Sequence, residues 1–150
     1  LTREPIIGIA PSQLKLDFDM RLDPPVLGST LGFSLFFLAA QSQVQLVADT
    51  GHATIIEAAF VDGGFVSTSH PTRDFVWPTK FVHVTLILNR KSSNYVSSLT
   101  IDGQNLEVEE QLIRVTSLTP QLKLNVGINY HSTSSTTGVW IDNLVLRVTP

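Results

Sequence analysis

The sequence predicts an all-β fold, a two-sheet antiparallel β-sandwich, on three observations. Residues 13–23, QLKLDFDMRLD, alternate apolar and polar almost without fault. Further stretches of strand character recur at intervals of about 8–12 residues with turn signals between them. No stretch carries a convincing helical period of apolar residues.

Taken in order, the first element places Leu14, Leu16, Phe18, Met20 and Leu22 on one face and Lys15, Asp17, Asp19, Arg21 and Asp23 on the other. The turn DPPVLGST stops it, because proline cannot donate to a ladder and glycine weakens a strand. LGFSLFFLAA (31–40) is apolar on both faces, as a strand covered on both sides would be. Val44, Leu46 and Ala48 then alternate with Gln43, Gln45 and Val47, and ADTG supplies the next turn. ATIIEAAFV (53–61) suits a strand better than a short helix, given its β-branched content and flanking DTG and DGG turns.

In FVHVTLILN (81–89), Val82, Val84, Leu86 and Leu88 share a face, opposite Phe81, His83, Thr85 and Ile87. RKSSN turns the chain into YVSSLTI, and Asp102-Gly103 is a strong hairpin signal. NLEVE, QLIRV, LKLNVGI and GVWIDNLVLRV complete the set, with HSTSSTTG (131–138) as a loop. Neither a repeat nor a linker divides the chain, so one domain is expected over 1–150, with its core from about residue 13.

Composition narrows the function classes. The 43% hydrophobic and 15% charged content of the 150 residues is that of a globular domain. A net charge of −3 and scattered cations lack the basic footprint that nucleic acid demands. The longest apolar run is about half of the ~20 residues a membrane helix needs. With no cysteine there are no disulfides, thiolate metal sites or cysteine nucleophiles. Leu1 at the start points to a processed product or an excised domain, and no Asn-x-Ser/Thr sequon is present.

Three pieces of the second half resemble a known family when taken together. KFVHVTLILNR followed by SLTIDGQ is similar to the laminin-G-like, concanavalin A-like pattern of an aromatic, His-Val, a strand and a short strand ending in Asp-Gly. LNVGINY, a polar loop and GVWIDNLVLRV resemble its closing pair, and QLKLDFDMRLD stands where its opening strand does. The resemblance implies a two-sheet jelly roll of the concanavalin A-like superfamily with the first and last strands side by side. Phe81 departs from the family's usual tryptophan, at a position expected to be structural. The resemblance also implies a secreted or cell-surface module that binds glycans or proteins, often beside calcium, with some relatives acting as glucanases.

Asp17 and Asp19 raise the question of catalysis. Retaining glycosidases hold two carboxyl groups about 5–5.5 Å apart and inverting ones about 6.5–9.5 Å apart. Residues i and i+2 of a strand are about 6.6–6.8 Å apart along its axis, so spacing alone leaves the pair in play. The laminarinase-type Glu-x-Asp-x-x-Glu pattern that the resemblance would call for is absent among Glu4, Glu57, Glu107, Glu109 and Glu110. The favoured reading makes Asp17 and Asp19 the wet side of a strand, charge-paired with neighbours such as Lys15 and Arg21 and guarding an edge. Glu107 and Glu109 read the same way.

His52, His70, His83 and His131 have no metal-ligand spacing, and the many serines come without a nucleophile elbow. Calcium, which takes hard oxygen ligands, has candidates in Asp62, Asp142 and Asn143, with Asp49 and Asp74 behind them. The alternative for Asp142-Asn143 is a bulge or a side chain that satisfies backbone. No cofactor is required by any motif. Sugar recognition needs an aromatic platform and oriented polar groups. Trp77 and Tyr130 are the leading candidates, with His131, Asn129, Tyr95 and His70, while Trp140, inside the last strand, is expected in the core. The first functional reading is therefore a non-catalytic, lectin-like carbohydrate-binding module that uses loop aromatics near the rim or concave face. A structural or adhesive module with a protein partner is the second, and a glycan-cleaving enzyme the third.

Overall fold

A computed structural model describes residues 6–7, 11–23, 29–37, 42–48, 53–61, 64–71, 79–92, 94–106, 112–114, 121–130 and 138–150, with side-chain surroundings for 11–21, 79–92, 96, 98–106 and 140–150. The chain forms a jelly-roll β-sandwich of two antiparallel sheets. In order, the strands are β1 (Ile6–Ile7), β2 (Gln13–Asp23), β3 (Ser29–Phe37), β4 (Ser42–Ala48), β5 (Ala53–Val61) and β6 (Gly64–Pro71). There follow β7 (Val82–Lys91), β8 (Asn94–Ile101), β9 (Gln104–Leu106), β10 (Leu112–Arg114), β11 (Gln121–Tyr130) and β12 (Gly138–Thr149). The first sheet runs β1-β11-β3-β4-β5-β6 and the second β10-β8-β7-β2-β12, with β9 paired to β8.

The alternation of β2 is realised as the sequence reads. Leu14, Leu16, Phe18 and Met20 point inward and are at most 1% exposed. Val82, Val84, Leu86 and Leu88 of β7 and Leu99 and Ile101 of β8 continue the same buried layer. Each buried side chain of this size contributes about 1.5–3 kcal/mol relative to exposure, so this face is where the second sheet is held to the body of the protein.

Local chemistry sets the turns. Asp102 (φ 50°) and Gly103 (φ 78°) both lie in the left-handed region, and Ile101 pairs directly with Gln104. That is a two-residue hairpin whose twist matches the flanking strands. The Asp102 N–H donates to the His83 carbonyl at 2.8 Å, tying the hairpin to β7. At the β7–β8 turn, Ser92 adopts φ 59°, and Arg90 Nε donates to its carbonyl at 3.1 Å.

The first long strand and the last one pair, β2 with β12, as the resemblance implied. This leaves β2 flanked by β7 and β12, so its charged residues guard no edge; among the described residues β12 lies at one edge of the second sheet. The β2–β12 register runs Asp19↔Asp142, then jumps to Asp17↔Val145. Asn143 (φ 54°) is the extra residue of a β-bulge, the outcome that competed with calcium for the Asp142-Asn143 pair. Asparagine is among the few side chains that enter the left-handed region readily.

The bulge also moves Trp140, whose expected place in the core is corrected here. Leu146 and Val148 pair with the inward-facing Leu16 and Leu14, and that even-numbered phase, carried back along the strand, would turn Trp140 inward. One extra residue reverses the phase, so Trp140 lies opposite Arg21 on the outer face and is 54% exposed.

Candidate functional site

The outer face of the second sheet carries three rows of side chains across β7, β2 and β12. In the first row, Arg21 stands between Phe81 and Trp140. Its guanidinium carbon is 5.2 Å from the Phe81 ring centroid and 5.4 Å from that of Trp140. Each such contact is worth about 0.5–1 kcal/mol at an exposed site. The rings are thereby held while much of their surface faces water, Phe81 being 45% exposed. Beside this row, Lys80 Nζ pairs with Asp102 at 3.2 Å.

The second row is His83, Asp19 and the bulge. Asp19 Oδ1 lies 2.7 Å from His83 Nδ1, and Asp19 Oδ2 accepts from Asn143 Nδ2 at 2.6 Å. The Asn143 and His83 hydrogen bonds hold the Asp19 carboxyl below its ordinary value. Asp142 Oδ1 accepts the Asn143 backbone N–H at 2.8 Å, while its other oxygen takes no hydrogen bond from the described residues.

Asp17 anchors the third row and is only 6% exposed. Thr85 Oγ1 donates to its Oδ1 at 2.7 Å, Lys15 Nζ is 3.2 Å from the same oxygen, and Arg147 Nη1 meets Oδ2. Burial is the largest single influence on this carboxyl and pushes it up. The Thr85 and Lys15 hydrogen bonds, with the Lys15 and Arg147 charges, together outweigh burial and leave it below the ordinary value. Of the expected charge pairing, Lys15 meets Asp17 whereas Arg21 lies over two rings; Arg147 is a further cation on Asp17, and Thr85, His83 and Asn143 are hydrogen-bond partners that linear sequence does not show.

These groups define what the face can do chemically. Thr85 Oγ1 is 3.4 Å from His83 Nε2, and His83 Nδ1 is on Asp19, an outline similar to a nucleophile–base–acid chain. Thr85 nevertheless gives its one proton to Asp17, so His83 does not activate it. A glycosidase acid needs a raised pKa, and both aspartates are lowered. The face thus carries an array of hydrogen-bonded polar groups beside two exposed aromatic rings.

The residues expected to bind fall elsewhere. Tyr130 and Asn129 end β11, opposite Ser29 and Thr30, and His70 lies in β6 opposite Ile55, all in the first sheet. Tyr95 lies in β8 of the second sheet, between Arg90 and Ile113. Trp77 and His131 lie outside the described residues, as do His52, Asp49, Asp62, Asp74 and the glutamates 107, 109 and 110. Among the described residues no group of three or more His, Cys, Asp or Glu side chains is placed to hold a metal, and no helix is long and apolar enough to cross a membrane. Sequence reasoning missed Trp140 and Phe81 as surface groups. The available signal was the IDN triplet, an Asp-Asn pair fit for a bulge in mid-strand.

No family model and no curated protein matches the sequence. Solved structures match the fold. A tetrameric galectin from the ball sponge Cinachyrella aligns over 100% of this chain and 99% of its own, with a TM-score of 0.61 and 9% identity. The cellulose-induced protein Cip1 aligns over 94% of this chain and 69% of its own, with a TM-score of 0.61 and 12% identity. A mutant of the alginate lyase Aly36B, in complex with an alginate trisaccharide, aligns over 100% of this chain and 81% of its own, with a TM-score of 0.58 and 12% identity. The likeness is one of fold.

Proposed function

We propose that this domain is a non-catalytic carbohydrate-binding module, acting at a cell surface or after secretion. The observation that carries this reading is the pair of half-exposed rings, Phe81 and Trp140, fixed by Arg21 beside a row of hydrogen-bonded polar side chains. Sugars present both apolar CH faces and directional hydroxyls, and a site for them pairs aromatic surface with oriented polar groups. Support of a coarser kind comes from similar folds, which include a galectin and a lyase that holds an alginate trisaccharide.

A protein partner is the competing reading, since exposed Trp and Arg are also the residues that dominate protein interfaces. An adhesive face of that kind would be poor in polar groups, whereas this one is dense with them, and that favours the glycan. Catalysis is the least supported role for this face, because both carboxyls are held ionised. Ligand binding through Trp77, Tyr130 or His131, with Asn129, Tyr95 and His70, is a second proposal. Calcium at Asp62, Asp142 and Asn143 is a further proposal.

A glycan-array screen of the purified domain, in calcium and again in EDTA, tests the reading. Glycan binding that is lost in Trp140→Ala with the fold intact is the expected result. Loss in Trp77→Ala or Tyr130→Ala instead would move the site to the rim, and loss in EDTA would add the metal. A blank array under both conditions, with a protein captured through Trp140, would overturn the glycan reading.

A further inference from the structure

Resting on the carbohydrate-binding reading above, we infer that the ligand seated on Trp140 is a neutral, hydroxyl-rich sugar, held by its CH face on the indole and by neighbouring hydroxyls that donate to Asp142. Trp140 and Asp142 are i and i+2 on the same outer face of β12, facing Arg21 and Asp19 across the ladder. The strand separates them by about 6.8 Å, so a ring lying on the indole brings its substituents to the carboxylate.

The polar groups beyond Trp140 are acceptors. Asp142 has one oxygen engaged by the Asn143 N–H and one that takes no hydrogen bond from the described residues. Asn143 donates from Nδ2 to Asp19 at 2.6 Å, and its amide oxygen is an acceptor by chemistry. Acceptors of this kind are complementary to hydroxyl donors, and a carboxylate takes two neighbouring hydroxyls at once. A uronate or sulfate at this position meets like charge from Asp142 and, directly across the ladder, from Asp19. The cations beside Trp140 are engaged, Arg21 over the two rings as a positioning residue for them and Lys80 with Asp102 at 3.2 Å.

Isothermal titration calorimetry on the whole domain separates the outcomes. The probes are neutral gluco-, galacto- and manno-oligosaccharides, against oligouronates and sulfated oligosaccharides. The expected result is binding of a neutral probe, weakened about tenfold or more in both Trp140→Ala and Asp142→Asn. Binding should be nearly unchanged in roughly 1 M NaCl, where the Debye length is about 3 Å. Asp142→Asn keeps the oxygen that accepts the Asn143 N–H, so its fold is preserved, and a circular-dichroism melt checks both variants. An acidic probe that binds more tightly, weakens with salt and is indifferent to or improved by Asp142→Asn overturns the ligand class while leaving a glycan-binding domain. Neutral binding untouched by either variant overturns the placement on Trp140. No binding of any oligosaccharide defeats the underlying reading as well.

Discussion

The two faces of the second sheet are built from the same strands and do different work. On the inner face, Leu14, Leu16, Phe18 and Met20 of β2 meet Val82, Val84, Leu86 and Leu88 of β7 with almost no surface left to water. On the outer face, the intervening residues Lys15, Asp17, Asp19 and Arg21 meet His83, Thr85, Phe81 and, from β12, Trp140, Asn143 and Arg147. Inner contacts are non-directional and scale with area; outer contacts are directional and nearly cancel against water. The lesson is that stability is concentrated on one side of each strand, which leaves the other free to be specified by geometry for a partner.

Substitutions on the two faces should separate cleanly. The largest effect is expected from Phe18→Ala, which empties a fully buried site and should cost about 3–5 kcal/mol in a denaturant-unfolding measurement. Asp17→Ala should come next, at about 1–2 kcal/mol, because it strands the Thr85 hydroxyl and two cations, the cations being able to reach water. A cost for Asp17→Ala as large as that of Phe18→Ala would erase the distinction between the faces.

Acid provides a graded version of the same comparison. Asp17 and Asp19 have folded pKa values below the ordinary 3.8. The stability they contribute is therefore present above that value and lost as pH falls through their lowered folded values. Unfolding midpoints followed from neutral pH to about pH 2 should fall less steeply in Asp17→Asn and Asp19→Asn than in the wild type. A slope unchanged in both variants would mean that these carboxyls are not held by the partners seen here. The smallest stability change is expected from Trp140→Ala, about 0.5–1 kcal/mol, since it removes a half-exposed ring and one cation–π contact. That same substitution should have the largest effect on binding.

The inner face was legible in the sequence and much of the outer face was not. Period-two alternation needs only the residue types on one strand, so β2, β7 and the Asp102-Gly103 hairpin could be read directly. The pairing of β2 with β12 came from resemblance, and the structure bears it out. Partners across a ladder are set by register, which no single strand encodes. For that reason Arg147 and Thr85 were invisible as partners of Asp17, and Asn143 as a partner of Asp19. Trp140 was misplaced because one bulged residue reverses the phase of β12. The rim candidates Trp77 and His131 lie outside the described residues, so their role rests on the binding experiments.

On the proposed reading, the outer face of the second sheet receives a sugar through Trp140. Backbone amide chemical-shift mapping by NMR, during titration with the best neutral oligosaccharide, tests it most directly. The account predicts that the perturbed amides cluster at Arg21, Phe81 and residues 140–143, with the amides beneath Leu14, Leu16 and Leu86 unmoved. Perturbations gathered instead on β11, β6 or around Trp77, with Trp140 silent, would contradict it.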